Sequence, residues 1–285
     1  MFSPVDTKDP TAVANAVGAA YLAIFTEGDE HFVPRAFDWA TACFTGNFGD
    51  YQPIDAQYHD FEHTLQGALC FARLLHGRYR ASGQPVLSER ISQLGLLAML
   101  LHDTGYLKTR DDTEGTGAKY TLTHVKRSTD FAARLLQEVG CQPADIRAVQ
   151  NMIRCTGVDA TLNVIEFQDD LERTTGLALG TADLLGQMAA DDYIEKLPML
   201  YSEFEEAARH TPDRTNLLGM FSSVADMLRK TPVFWEKYVI LKLNRDFEGL
   251  HRFLNTPYPE GPNCYFQRIE ANMERLRHRL ETAPA

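Results

Sequence analysis

The chain has 285 residues with 28 Lys and Arg against 39 Asp and Glu, a formal charge of −11, and 44% hydrophobic residues. That apolar content supports a sizeable core, and the acidic balance argues against an extended phosphate-backbone footprint. Five scattered cysteines without a C-x-x-C pair suggest neither a disulfide framework nor a zinc knuckle, so a reducing compartment is expected.

Helical periodicity runs through the sequence and alternating strand patterns are nearly absent, which predicts an all-α class. Residues 11–26 and 34–45 read as the first two helices, with "GNFGDYQPID" as the loop after them. From Asp60 to Arg80, apolar residues recur at three- and four-residue intervals. Ser88 can cap the next helix, whose stretch Leu94–Leu101 carries no charge and so belongs inside a bundle. Gly105 is expected to end it, and "KTRDDTEGTGAKYT" follows as a polar loop of the kind that borders a site.

Thr121 or Thr123 can cap a helix through Val139, closed by Gly140. Further helices are predicted at 143–155, 176–193, 197–209, 215–229, 232–254 and 265–281. No internal repeat divides the chain, so residues 1–285 are read as a single helical domain, with a C-terminal helical extension at 196–285. The N-terminal residues lack the pattern of a signal peptide, and no run of about 18 apolar residues occurs. A cytoplasmic protein without membrane contact is the expectation.

Three features carry chemistry. "YHDFEH" sets His59 and His63 four residues apart, on one face at the start of a helix. His102 and Asp103 end the apolar helix, where the acid opposes the negative end of the macrodipole and calls for a compensating positive charge. Asp183 is the only charged residue between Thr174 and Ala190, in a helix of small and apolar side chains. A buried carboxylate without a partner costs several kcal/mol, so it must be protonated, paired or bound to a metal.

In this order and on separate helices, Tyr58-His59-x-x-x-His63, His102-Asp103 and Asp183 resemble the HD-domain metal-dependent phosphohydrolases, and most closely the catalytic domain of class I cyclic nucleotide phosphodiesterases. The resemblance covers about residues 55–195, the expected HD core of a compact multi-helix bundle. It implies that His63, His102, Asp103 and Asp183 are metal ligands, with Asp103 able to bridge two divalent ions drawn from Zn, Mn, Mg and Fe. It implies further that His59 is the general acid in hydrolysis of a phosphodiester such as a cyclic nucleotide, the attacking hydroxide being generated at the metals. Nucleotide phosphatase or triphosphohydrolase activity, a diiron oxygenase and a non-catalytic nucleotide sensor are the alternatives on the same frame.

His124 lies on the packed stripe of its helix, and the segment resembles the helix after H-D in the HD-GYP branch, which makes His124 a candidate ligand of the second metal. There are also departures. Tyr106 stands where the cyclic nucleotide enzymes have another His, and no His occurs between His124 and His210. The latter disfavours the diiron oxygenase. Candidates for substrate contact are Tyr58, Lys108 (or Lys126), and Gln267 with Phe266, or else Phe234 with Trp235. Glu62, Glu114 and Thr104 are candidate acceptors for the ligand histidines. A small-molecule phosphoester or nucleotide is the expected partner; no nucleic acid duplex is, and a homodimer is left open.

Overall fold

The computed structural model describes residues 4–157, 160–211 and 220–282. Among them there is no strand; Tyr51 with Thr109 and Asn255 with Asn263 form isolated bridges only, as the all-α reading requires. Asp9 caps α1 (Pro10–Ile24), with Pro10 fitting the first turn because its missing N–H would be unpaired there anyway. α2 (Phe32–Phe44) buries Val33, Ala36, Phe37, Ala40 and Phe44 along one stripe. α3 (Phe61–Arg80) begins at Asp60, whose carboxylate accepts from the His63 N–H at 2.8 Å. That cap fixes His63 in the first turn.

α4 (Glu89–Leu101) is capped by Ser88, and every residue from Leu94 to Leu101 is buried. It gives way to a 3-10 turn at Thr104–Tyr106, so Gly105 lies inside the turn and does not terminate the helix. A Cβ at Gly105 would stand 2.0 Å from the His124 carbonyl oxygen. The glycine is there to let α5 (His124–Glu138) approach. α6 (Pro143–Ile153) follows.

α7 (Asp170–Met188) starts at the cap Asp169, earlier than the expected 176. Thr174 and Thr175, which look like a boundary, donate their hydroxyls to the carbonyls of Asp170 and Leu171 within the helix. α8 (Tyr193–His210) likewise begins before the expected 197 and carries Pro198 inside it. The expected pair 215–229 and 232–254 is different in form. α9 (Val224–Phe234), a π segment Trp235–Val239 and α10 (Ile240–Arg245) run on as one rod through Pro232. The break comes at Glu248 and Gly249, both at positive φ, and residues 215–219 of the first expected helix lie outside the described residues. α11 (Cys264–Thr282) closes the chain.

α3 packs against α1, α4 and α7, and α7 also meets α4 and α6, which puts the ends of α3, α4 and α7 together at the centre. The α3–α7 crossing is close because of glycine: a Cβ at Gly186 would meet the Gln66 carbonyl oxygen at 2.8 Å and the Gly67 nitrogen at 2.9 Å. Both atoms are backbone and cannot step aside. Gly186→Val is therefore expected to cost about 1–3 kcal/mol by overpacking. A lower melting temperature checks this; an unchanged one would contradict the contact.

No helix is long and apolar enough to cross a membrane, of those searched among the described residues.

Candidate metal centre

Four side chains from three helix ends converge. His63 Nε2 lies 3.2 Å from both Asp103 Oδ2 and Asp183 Oδ1, and His102 Nε2 lies 3.2 Å from Asp103 Oδ2 and 3.5 Å from Asp183 Oδ1. One donor atom each of His63, His102 and Asp103 falls within 4.8 Å of the others, and all four residues are buried. His124 Nε2 stands 3.8 Å from the other Asp103 oxygen, Oδ1. Asp103 thus faces His63 and His102 with one oxygen and His124 with the other.

The ring orientations are set from behind. His102 Nδ1–H donates to the Met99 carbonyl at 2.8 Å and His124 Nδ1–H to the Thr121 carbonyl at 2.6 Å, which leaves Nε2 of each ring toward the carboxylates. Backbone carbonyls do what Glu62, Glu114 and Thr104 were expected to do. Glu62 pairs with Lys196 and accepts from Gln66 and Thr7; Thr104 donates to Leu101; the Glu114 carbonyl accepts from Lys119.

Burial works against charge on every member of the cluster, and mutual attraction overrides it. The carboxylates of Asp103 and Asp183 lift His63 to about 9 and His102 well above the usual histidine range. The two imidazoles in turn hold Asp103 and Asp183 well below the usual carboxylate range. For His124 burial prevails and lowers the pKa, which favours the neutral ring a metal requires. Despite their proximity, His102 Nε2 and Asp103 Oδ2 have no partner of hydrogen-bond geometry among the described residues. A buried polar atom left so costs about 1–3 kcal/mol, and a cation accepting both lone pairs would remove that cost. The donor set of imidazole nitrogens and carboxylate oxygens fits Zn, Mn or Fe, and through oxygen Mg.

Beside the cluster, His59 Nδ1 is 2.6 Å from Glu203 Oε2 on α8, and the Tyr58 N–H donates to Oε1 of the same carboxylate at 2.7 Å. Glu203 is buried, and although burial alone would raise it, His59 and the two backbone N–H groups hold its pKa down. With Nδ1 engaged, Nε2 is the nitrogen of His59 left for a substrate. Tyr106 packs nearly parallel to His59, at 4.5 Å between centroids and 12°, and to His124, at 4.8 Å and 23°. Thr121 approaches its hydroxyl without reaching hydrogen-bond geometry. The residue that departs from the phosphodiesterase pattern is an aromatic support for two histidines.

A cavity of about 510 Å³ opens onto these groups. Tyr58 lines it, but its hydroxyl donates to Gln187 at 2.7 Å. Lys108, Gln267, Phe266 and Trp235 do not line it. Lys108 is buried against Asp55, at 2.9 Å, and the Gly115 carbonyl, where it clasps the polar loop. Gln267 is exposed, and Phe266 stacks on His251 and meets Trp235 edge-on. Phe234 lines the cavity, whereas Trp235 is core, and Lys126 reaches the rim.

A family model described as Npun_R2479-like matches residues 37–252, more than half of the chain. The chain belongs to the Npun_R2479-like family. The matched segment contains His59, His63, His102, Asp103, His124, Asp183 and Glu203, while α1 and α11 fall outside it. No curated protein matches the chain.

Glu203 is the site residue that the sequence reading missed. The signal was available: Leu197, Leu200, Phe204 and Ala207 form an apolar stripe on α8, and Glu203 lies beside it one turn after Leu200. A carboxylate bordering a buried stripe calls for a partner, as Asp183 did.

Proposed function

We propose that the protein is a metal-dependent phosphohydrolase acting on a phosphodiester. The observation that carries this reading is the pairing of two sites in one cavity: an Asp103-centred cluster with buried donors lacking partners, and a separate, carboxylate-oriented imidazole, His59. His63, His102, Asp103 and Asp183 would hold a divalent ion, and His124 with Asp103 Oδ1 would contribute to a second. When bound, such ions supply a nucleophile at neutral pH and neutralise phosphoryl oxygens.

The chain's own residues do the rest. Glu203 fixes the tautomer and direction of His59, whose Nε2–H donates a proton to the leaving oxygen as the phosphorus–oxygen bond breaks. The backbone carbonyls of Met99 and Thr121 keep His102 and His124 aimed at Asp103. The acidic protein accepts an anionic substrate because charge at the site would come from the ions and not from Lys or Arg.

The test is a comparison of bis(4-nitrophenyl) phosphate with 4-nitrophenyl phosphate under Mn, Mg, Zn and Fe. Metal-dependent hydrolysis of the diester in preference to the monoester is expected; preference for the monoester would favour a phosphatase.

Metal uptake should also displace protons. The carboxylates of Asp103 and Asp183 raise His63 to about 9 and His102 well above the usual histidine range, so without a metal they favour the protonated imidazoles. Binding is expected to release protons at neutral pH, so affinity rises with pH through the neutral range. Calorimetry in buffers of different ionisation enthalpy measures this, and zero release would contradict the ligand assignment.

A further inference from the structure

The cavity extends beyond the cluster, and its walls differ in kind. Away from the imidazoles it is built by Leu184 and Met188 of α7, Leu197, Leu200 and Phe204 of α8, and Phe234 of α9. The spacing of three and four residues sets the α8 members on one helical face. Leu184, Leu200, Phe204 and Phe234 are only half-buried and keep apolar surface open inside a concave site. Apolar walls with a few convergent polar groups are the usual form of a small-molecule site.

Three hydroxyls on these walls are spent as donors to backbone. Thr121, Thr156 and Thr231 donate to the carbonyls of Ala118, Ile153 and Met227 at 2.6, 2.8 and 2.8 Å. Gln187 is the amide side chain on the described wall: its oxygen accepts from Tyr58, and its nitrogen donates to the Asp183 carbonyl at 3.0 Å. A nucleobase edge needs a donor and an acceptor from such an amide, and both ends are in use. Nor do the described residues of the wall build a cationic site for further phosphates. Lys126 is 80% exposed and held by Asp130, and Arg154, exposed at the rim, is bonded to Asn151.

Resting on the hydrolase reading above, we infer that the substrate is an amphiphilic phosphodiester: one phosphoryl group at the cluster, an alkyl or aryl ester group against the α7–α8–α9 wall, and no nucleobase. Hydrolysis breaks one phosphorus–oxygen ester bond and forms another to a water oxygen. The alcohol leaves with one proton and the second proton of water goes to solvent.

The probes are n-alkyl 4-nitrophenyl phosphates from methyl to octyl, with n-alkylphosphonates as non-hydrolysable counterparts measured by calorimetry. In the metal-loaded full chain, kcat/KM and phosphonate affinity are each expected to rise about two- to fourfold per methylene until the wall is covered. Leu200→Asn and Phe234→Ser, checked for folding by thermal melting, flatten both slopes. A chain-length-independent rate, or 3′,5′-cyclic AMP hydrolysed in preference to the octyl ester, overturns the apolar-ester inference and leaves the hydrolase reading standing. No hydrolysis under any metal, with phosphonate affinity still rising with chain length, overturns the hydrolase reading and supports the apolar site.

Discussion

Asp103→Ala is expected to lose bound metal and activity together. Asp103 faces both halves of the cluster, with Oδ2 at 3.2 Å from His63 and His102 and Oδ1 at 3.8 Å from His124. Removing it takes away the carboxylate that the other donors surround and leaves His102 and His124 aimed at a gap. Loss of a partner behind a ligand typically costs 10- to 100-fold in affinity, so loss of the bridging carboxylate itself should exceed about 100-fold. Elemental analysis after dialysis measures it alongside turnover. Full occupancy in Asp103→Ala would remove this residue from the ligand set.

His59→Ala is expected to separate the two properties, keeping metal while losing turnover. His59 has its carboxylate partner in Glu203, outside the cluster, and makes no ion pair with Asp103 or Asp183. General acid catalysis is worth roughly 10²- to 10⁴-fold. The loss should grow with the basicity of the leaving group: small for 4-nitrophenolate, which departs unaided, and large for an alkoxide. Glu203→Gln should show the same dependence in weaker form, because it still accepts from backbone but no longer fixes His59 as a carboxylate does. A loss independent of the leaving group would indicate a structural role for His59.

The helices were legible in the sequence because their caps and apolar stripes are local. Ser88 caps where it was read, the helix expected from Asp60 starts there, and the uncharged run Leu94–Leu101 is buried throughout. Asp183 and the His102-Asp103 pair were legible as charges misplaced in apolar helices. Residues at helix joints were harder to place. Pro198 and Pro232 look like breaks but sit inside helices, because tertiary packing holds a rod that local propensity would end. Hence α8 and α9, which supply much of the cavity wall, were misdrawn, as was α10 beyond them.

Lys108, Gln267 and Phe266 were chosen for residue type and approximate place along the chain, and neither reveals which wall a side chain joins. Lys108 turned inward to Asp55, and Phe266 joined the core around His251. Glu203 stayed hidden because Glu205 and Glu206 beside it make the segment look like a solvated acidic face. Only the fold brings it under His59.

The central claim, a metal-dependent diesterase at the Asp103 cluster, is tested most directly by titrating divalent metal into chelator-treated wild-type protein while following hydrolysis of bis(4-nitrophenyl) phosphate. Activity is expected to be absent at the start, to rise with bound metal and to saturate near about two ions per chain. Hydrolysis unaffected by chelation, or metal bound to saturation without hydrolysis under any of the four ions, would contradict it.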